Sequence, residues 1–104
     1  MSERLIYRCS PSIVWAKDAS QTMVVDKETG QSWVVRGAEA LVWDLVTVGC
    51  SYRRIARMLS LILSLSVEEG DRILAGVLRQ WQGAGIVQVS GEVADGKLDH
   101  QCSM

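Results

Sequence analysis

A chain of 104 residues has the length of one domain. With 48% hydrophobic and 22% charged residues it has globular composition, which excludes a disordered chain. A formal net charge of −1 supplies no field that would gather nucleic acid or an anionic membrane surface.

The front third reads as strands. Residues 12–16 are β-branched and aromatic and follow the only proline, Pro11. Residues 22–26 repeat the type, with Met23 and Val25 facing one way and Val24 the other. Residues 26–30 form a turn in which Gly30 supplies the positive φ that closing a hairpin commonly demands. Residues 31–36 return as a strand, with Trp33 and Val35 on one face and Ser32, Val34 and Arg36 on the other. A lone hairpin is marginal in water, so a three-stranded antiparallel meander is the natural assembly.

The rest reads as helices. Gly37 opens a segment in which Ala38, Leu41, Val42 and Leu45 make an apolar stripe that Gly49 stops. Ser51 can cap a second helix to about Leu63, with Ile55, Leu59, Ile62 and Leu63 inside and Arg53, Arg54 and Arg57 outside. The apolar run 58–65 exceeds what one inward face needs. It reads as a deeply buried helix end, with a second contact surface as the alternative. Ser66 and Glu69 form a capping box that starts a third helix, to about Gln82, with the stripe Ile73, Leu74, Val77, Leu78 and Trp81. Glu68, Glu69 and Asp71 occupy its first turn, where the macrodipole favours negative charge. Gly76 costs about 1 kcal/mol of helix stability relative to alanine; close approach of another backbone explains it as well as chance does. A short extended piece at 86–89 follows, and residues 91–104 read as a disordered tail beyond a domain of residues 1–90. The four tryptophans suit the cover between strands and helices, with Trp33, on the last strand, equally suited to a functional role. The fold class is α+β: a three-stranded antiparallel meander followed by three helices, winged-helix-like in its layout.

Chemistry-bearing residues are sparse. Cys9, Cys50 and Cys102 lie far apart without a C-x-x-C pair, and His100 stands in a polar stretch. Zinc needs three or four ligands at local spacing, so no metal and no cofactor are expected, and the thiols read as reduced. A lone histidine without a nucleophilic partner makes a poor general base, and Gly83-Ala-Gly85 ends a helix instead of opening one, unlike a phosphate loop. The chain is therefore expected not to be an enzyme. Residues 1–8 lack the apolar stretch of a secretory signal, and the run 58–65 is far shorter than the ~20 residues of a bilayer span. A soluble, cytoplasmic protein without a membrane partner is the expectation.

Several residues, in order, carry a family likeness. They are Pro11 with Val14-Trp15; Val24-Val25-Asp26 before Thr29-Gly30; Trp33-Val34-Val35; Val42-Trp43-Asp44-Leu45; Gly49 with Ser51, Ile55 and Leu59; and Leu78 with Gly85-Ile86-Val87. This series resembles the PqqD-like family of precursor-peptide recognition domains, over about three quarters of the chain. Where the family commonly has Leu-Asn before the first helix, Val35-Arg36 stands here. The resemblance implies a winged-helix-like peptide chaperone without an active site. Such a chaperone holds a precursor (leader) peptide as an added β-strand between the last meander strand and the third helix. It further implies a peptide-modifying enzyme as partner, of the radical-SAM or the protease/cyclase type found in lasso-peptide and other maturation pathways.

The peptide-binding residues so expected are Gln31, Ser32, Trp33, Val34, Val35 and Arg36 on the strand, with Glu69, Arg72, Ile73, Gly76, Val77 and Gln80 on the helix. Arg36, Arg72 and Arg79 are candidates for steering acidic leaders. The alternative is a winged-helix DNA-binding regulator that would use residues 67–82 as its recognition helix. Glu68, Glu69 and Asp71 would then face phosphates, so no nucleic-acid partner is expected. A homodimer is a further possible partner arrangement, suggested by the apolar second helix.

Overall fold

The computed structural model describes residues 4–92. The strands are β1 (Leu5–Cys9), β2 (Ile13–Asp18), β3 (Gln21–Asp26) and β4 (Ser32–Arg36). They are followed by the helices α1 (Gly37–Thr47), α2 (Tyr52–Leu63) and α3 (Val67–Gly83), and by a last strand, β5 (Val87–Glu92). The anticipated meander is present as an antiparallel sheet in the order β2-β3-β4. Its pleat sorts side chains as alternation requires: Thr22, Val24 and Val35 are buried, whereas Met23 and Val34 are exposed. Gly30 takes φ +79° in the β3–β4 turn, which the Asp26 carboxylate closes by accepting from the Glu28 N–H at 2.9 Å.

Helix starts follow local chemistry. The Ser51 hydroxyl accepts from the Arg54 N–H at 3.2 Å. At α3, Ser66 Oγ accepts from the Glu69 N–H at 3.1 Å, and the Ser66 N–H donates to Glu69 Oε1 at 3.2 Å, completing the capping box. Helix α1 lacks such a device. Its N-cap is Arg36, whose side chain makes no capping bond, and Gly37 at φ +57° makes the sharp turn from β4 into the helix.

The core is built where α1 meets the inner face of the meander and where α2 and α3 pack on α1 and on each other. Trp43 is fully buried and meets two other rings edge to face, Trp15 at 5.7 Å and Trp81 at 5.3 Å. Val42, Leu45, Val46, Ile55, Leu59, Leu74 and Leu78 complete it. The buried face of α1 is rotated from the expected stripe. Trp43 and Val46 are buried, whereas Ala38 and Leu41 are only partly so, because the bulkiest side chain claims the centre.

The structure corrects the reading in four places. Residues 5–9 were not recognised as a strand; they pair with 87–92 in a second, two-stranded antiparallel sheet, irregular between Ile6 and Tyr7. Strand β5 therefore runs through Gly91 and Glu92, past the expected domain limit at residue 90, while residues 93–104 lie outside the described residues. Trp15 is 44% exposed, because only one edge of its ring rests on Trp43. The end of α2 is not buried: Ile62 and Leu63 are 53% and 37% exposed, since the helix overhangs the elements it packs on.

Candidate functional site

Strand β4 ends the meander, so half of its main-chain groups have no strand to meet. The register decides which half. The Asp26 N–H donates to the Gln31 carbonyl at 2.9 Å, and pairing continues without a shift through Val24↔Trp33 and Thr22↔Val35. In an antiparallel ladder hydrogen-bonded pairs alternate, so Trp33 and Val35 exchange main-chain bonds with β3. Ser32, Val34 and Arg36 turn theirs to the open edge. The N–H groups of Ser32 and Val34 meet no acceptor among the described residues. β4 contains no proline that would remove one of these donors.

Side chains alternate about this edge. Trp33 is half-buried and Val35 buried on the inner face, while Ser32, Val34 and Arg36 are exposed on the outer one. On α3, steps of three and four residues set Glu69, Ile73, Val77 and Gln80 in one row. Glu69 and Gln80 are exposed, Ile73 is partly buried and Val77 is buried. Trp33 and Ile73 pack against the same core cluster that contains Val35 and Val77. The structure thus places Trp33, Val35, Ile73 and Val77 in or against the core of the domain, and the helix that packs directly on β4 is α1.

The expected arginines are not gathered. Arg36 Nε donates to Gln21 Oε1 at 3.0 Å, on the outer side of the sheet. Arg72 and Arg79 line a solvent-facing hollow on α3 with Gly76, Glu68 and Asp71. A Cβ added at Gly76 would meet nothing within 4 Å, so no backbone of another element approaches it among the described residues. The glycine that does permit close packing is Gly70. A Cβ there would lie 2.5 Å from Ser60 Oγ and 3.1 Å from the Ala56 carbonyl, which is how α3 approaches α2.

Among titrating groups, burial pushes the Cys9 thiol up to about 11, so it stays protonated at neutral pH and is a weak nucleophile. The Asp26 carboxylate is held below its ordinary value, mainly by the Glu28 N–H it accepts from. Among the described residues no group of three His, Cys, Asp or Glu side chains is arranged to hold a metal ion, and no helix is long and apolar enough to cross a membrane.

One feature escaped the sequence. Helices α2 and α3 enclose an open groove of about 760 Å³ lined by Tyr52, Arg53, Ala56, Arg57, Val67, Glu68 and Asp71. At its base Tyr52 Oη donates to Asp71 Oδ1 at 2.7 Å. Arg53, Arg57 and Leu61, four residues apart on α2, are the periodic signal that could have revealed it.

No protein-family model matches the chain, and no curated protein matches it. Solved structures do. A lasso peptide synthetase B1 complexed with its leader peptide superimposes with a TM-score of 0.73 at 20% identity, over 84% of this chain and 99% of that one. TbiB1 in complex with the TbiA(beta) leader peptide gives 0.69 at 16% identity, over 88% and 99%. The chain shares their fold.

Proposed function

We propose that this chain is a non-catalytic carrier that takes up the leader segment of a precursor peptide as a fourth strand on β4 and presents it to a peptide-modifying enzyme. The observation that carries this is the open edge of β4 at Ser32 and Val34, whose N–H groups meet no acceptor among the described residues. Main-chain pairing supplies affinity, and the alternating neighbours of the edge supply selectivity. Guest side chains opposite Trp33 and Val35 point to the inner, helix-covered face of the sheet, and those opposite Val34 lie on the outer face with Met23.

The fold shared with two chains solved in complex with leader peptides supports the reading. One of these is a lasso peptide synthetase component, which favours a lasso-type maturation enzyme over a radical-SAM enzyme as the partner served. DNA binding gains nothing from the geometry, since the start of α3 exposes Glu68, Glu69 and Asp71.

The experiment is a calorimetric titration with a synthetic leader, taken from a short precursor reading frame beside the gene. A short guest strand must be ordered on binding, so a Kd of roughly 1 μM, about −8 kcal/mol, is expected. No heat and no amide shifts at a hundredfold excess of that leader would overturn the reading.

A further inference from the structure

A second surface lies away from the β4 edge. Leu61, Ile62, Leu63 and Val67 are 75%, 53%, 37% and 71% exposed, four large apolar side chains within seven residues. Isolated exposed apolar residues are ordinary, whereas four so close in sequence at one end of a helix mark a candidate contact surface, with Leu61 on the same row of α2 as Arg53 and Arg57. On α3, Val67 and Asp71 line the α2 side of the helix, whereas Glu69, Ile73 and Gln80 lie on the opposite flank. A partner on this corner therefore leaves β4 free.

The charges around the corner suit a second copy of this chain. Arg53 and Arg57 form one wall of the α2–α3 groove, and Glu68 stands on the other. None of these three forms an ion pair with another described residue, although they share the groove. A surface with both signs flanking an apolar centre is self-complementary, which a two-fold contact between identical chains requires. At a net charge of −1 two copies scarcely repel.

We propose that this corner is a homodimer interface, with α2 antiparallel to α2 of a second copy about a two-fold axis near Leu61. Leu61 then packs on its counterpart and on the copy's Val67. Arg57, four residues or about 6 Å before Leu61 on the helix, lies over the turn between α2 and α3 of the copy, within reach of its Glu68. The two-fold repeats that ion pair on the other side. The exposed α2 terminus and the unpaired charges of the groove thus have one occupant. The contact is small, so the dimer forms with a Kd of roughly 10–100 μM.

Sedimentation velocity on the full chain under reducing conditions, from about 5 to 300 μM, tests this. The expected result is a monomer–dimer equilibrium that Leu61→Glu weakens at least tenfold and Arg57→Glu weakens severalfold. Combining Arg57→Glu with Glu68→Arg restores it. All three positions are solvent-exposed, so an unchanged far-UV spectrum is expected to accompany each variant, with only a small fall in thermal midpoint where Glu68→Arg reverses a charge in the first turn of α3. A monomer throughout the range overturns the proposal and leaves the corner to a different protein. A dimer indifferent to Leu61→Glu, or a charge exchange that fails to restore association, overturns it as well. Leader binding is measured separately and is unaffected by any of these results.

Discussion

The two edges of the meander differ although they belong to one sheet. On β2 the Lys27 N–H donates to the Ser12 carbonyl at 2.9 Å, so Val14 and Ala16 bond β3 while Ile13, Trp15 and Lys17 face outward. That edge is engaged at its first donor and through its side chains. The Ile13 N–H donates to the Ser10 carbonyl at 3.0 Å, the Trp15 ring lies on Trp43, and Lys17 Nζ donates to Asp44 Oδ2 at 3.0 Å. Charged Lys17 and Asp18 end the strand, as they do in edges protected from pairing. β4 has no charge before Arg36, and its outward N–H groups at Ser32 and Val34 stay free among the described residues. Strand order makes both into edges; β2 differs by its closed first donor and by the partnered and charged side chains along it.

The sharpest way to break this contrast is proline. Val35→Pro removes a donor to β3 and a buried side chain, and should cost at least about 3 kcal/mol of stability in urea denaturation. Val34→Pro removes a donor that faces solvent, so it should leave the denaturation midpoint within about 1 kcal/mol of wild type yet weaken leader binding at least tenfold. Equal loss of stability in both variants would mean that the register of the edge is wrong.

Smaller effects sharpen the β2 side. Asp44→Ala frees Lys17 from a pair whose side chains are 58% and 36% exposed, so it should cost under about 1 kcal/mol in low salt and less in high salt. Leader affinity should not change; a loss would place the guest on β2. Last is Asp26, whose carboxyl is held below the ordinary aspartate value by the turn, chiefly by the Glu28 N–H it accepts from. It stabilises the folded state above that value, and the contribution disappears as pH falls through the lower folded value. Asp26→Asn should flatten the acid limb of the stability profile there and leave the pH 7 register of β4 intact.

Much of this was legible in the sequence because its signals are local. Ser51, and Ser66 with Glu69, place two helix starts, and alternation along residues 31–36 gives the faces of β4 correctly. What was missed depends on distant partners. Strand β1 is five residues whose pairing lies some eighty positions away at β5, so nothing nearby marks it. Ile62 continues the stripe of Ile55 and Leu59, but periodicity gives the direction of a side chain and not whether a neighbour reaches that far. Gly76 drew attention as a helix-interior glycine, while Gly70, where α2 actually comes close, looked no different. Alternation gave the strand and periodicity the apolar row on α3, whereas charge alone grouped Arg36 with Arg72 and Arg79, which share a hollow on α3 while Arg36 bonds Gln21 on the sheet.

Amide hydrogen exchange by NMR, with and without saturating leader, tests the open-edge assignment most directly. The account predicts that the Ser32 and Val34 amides exchange rapidly in the free chain and become protected in the complex, while those of Trp15 and Lys17 on the opposite edge do not change. Protection at Trp15 and Lys17 with Ser32 and Val34 still exchanging freely would contradict it.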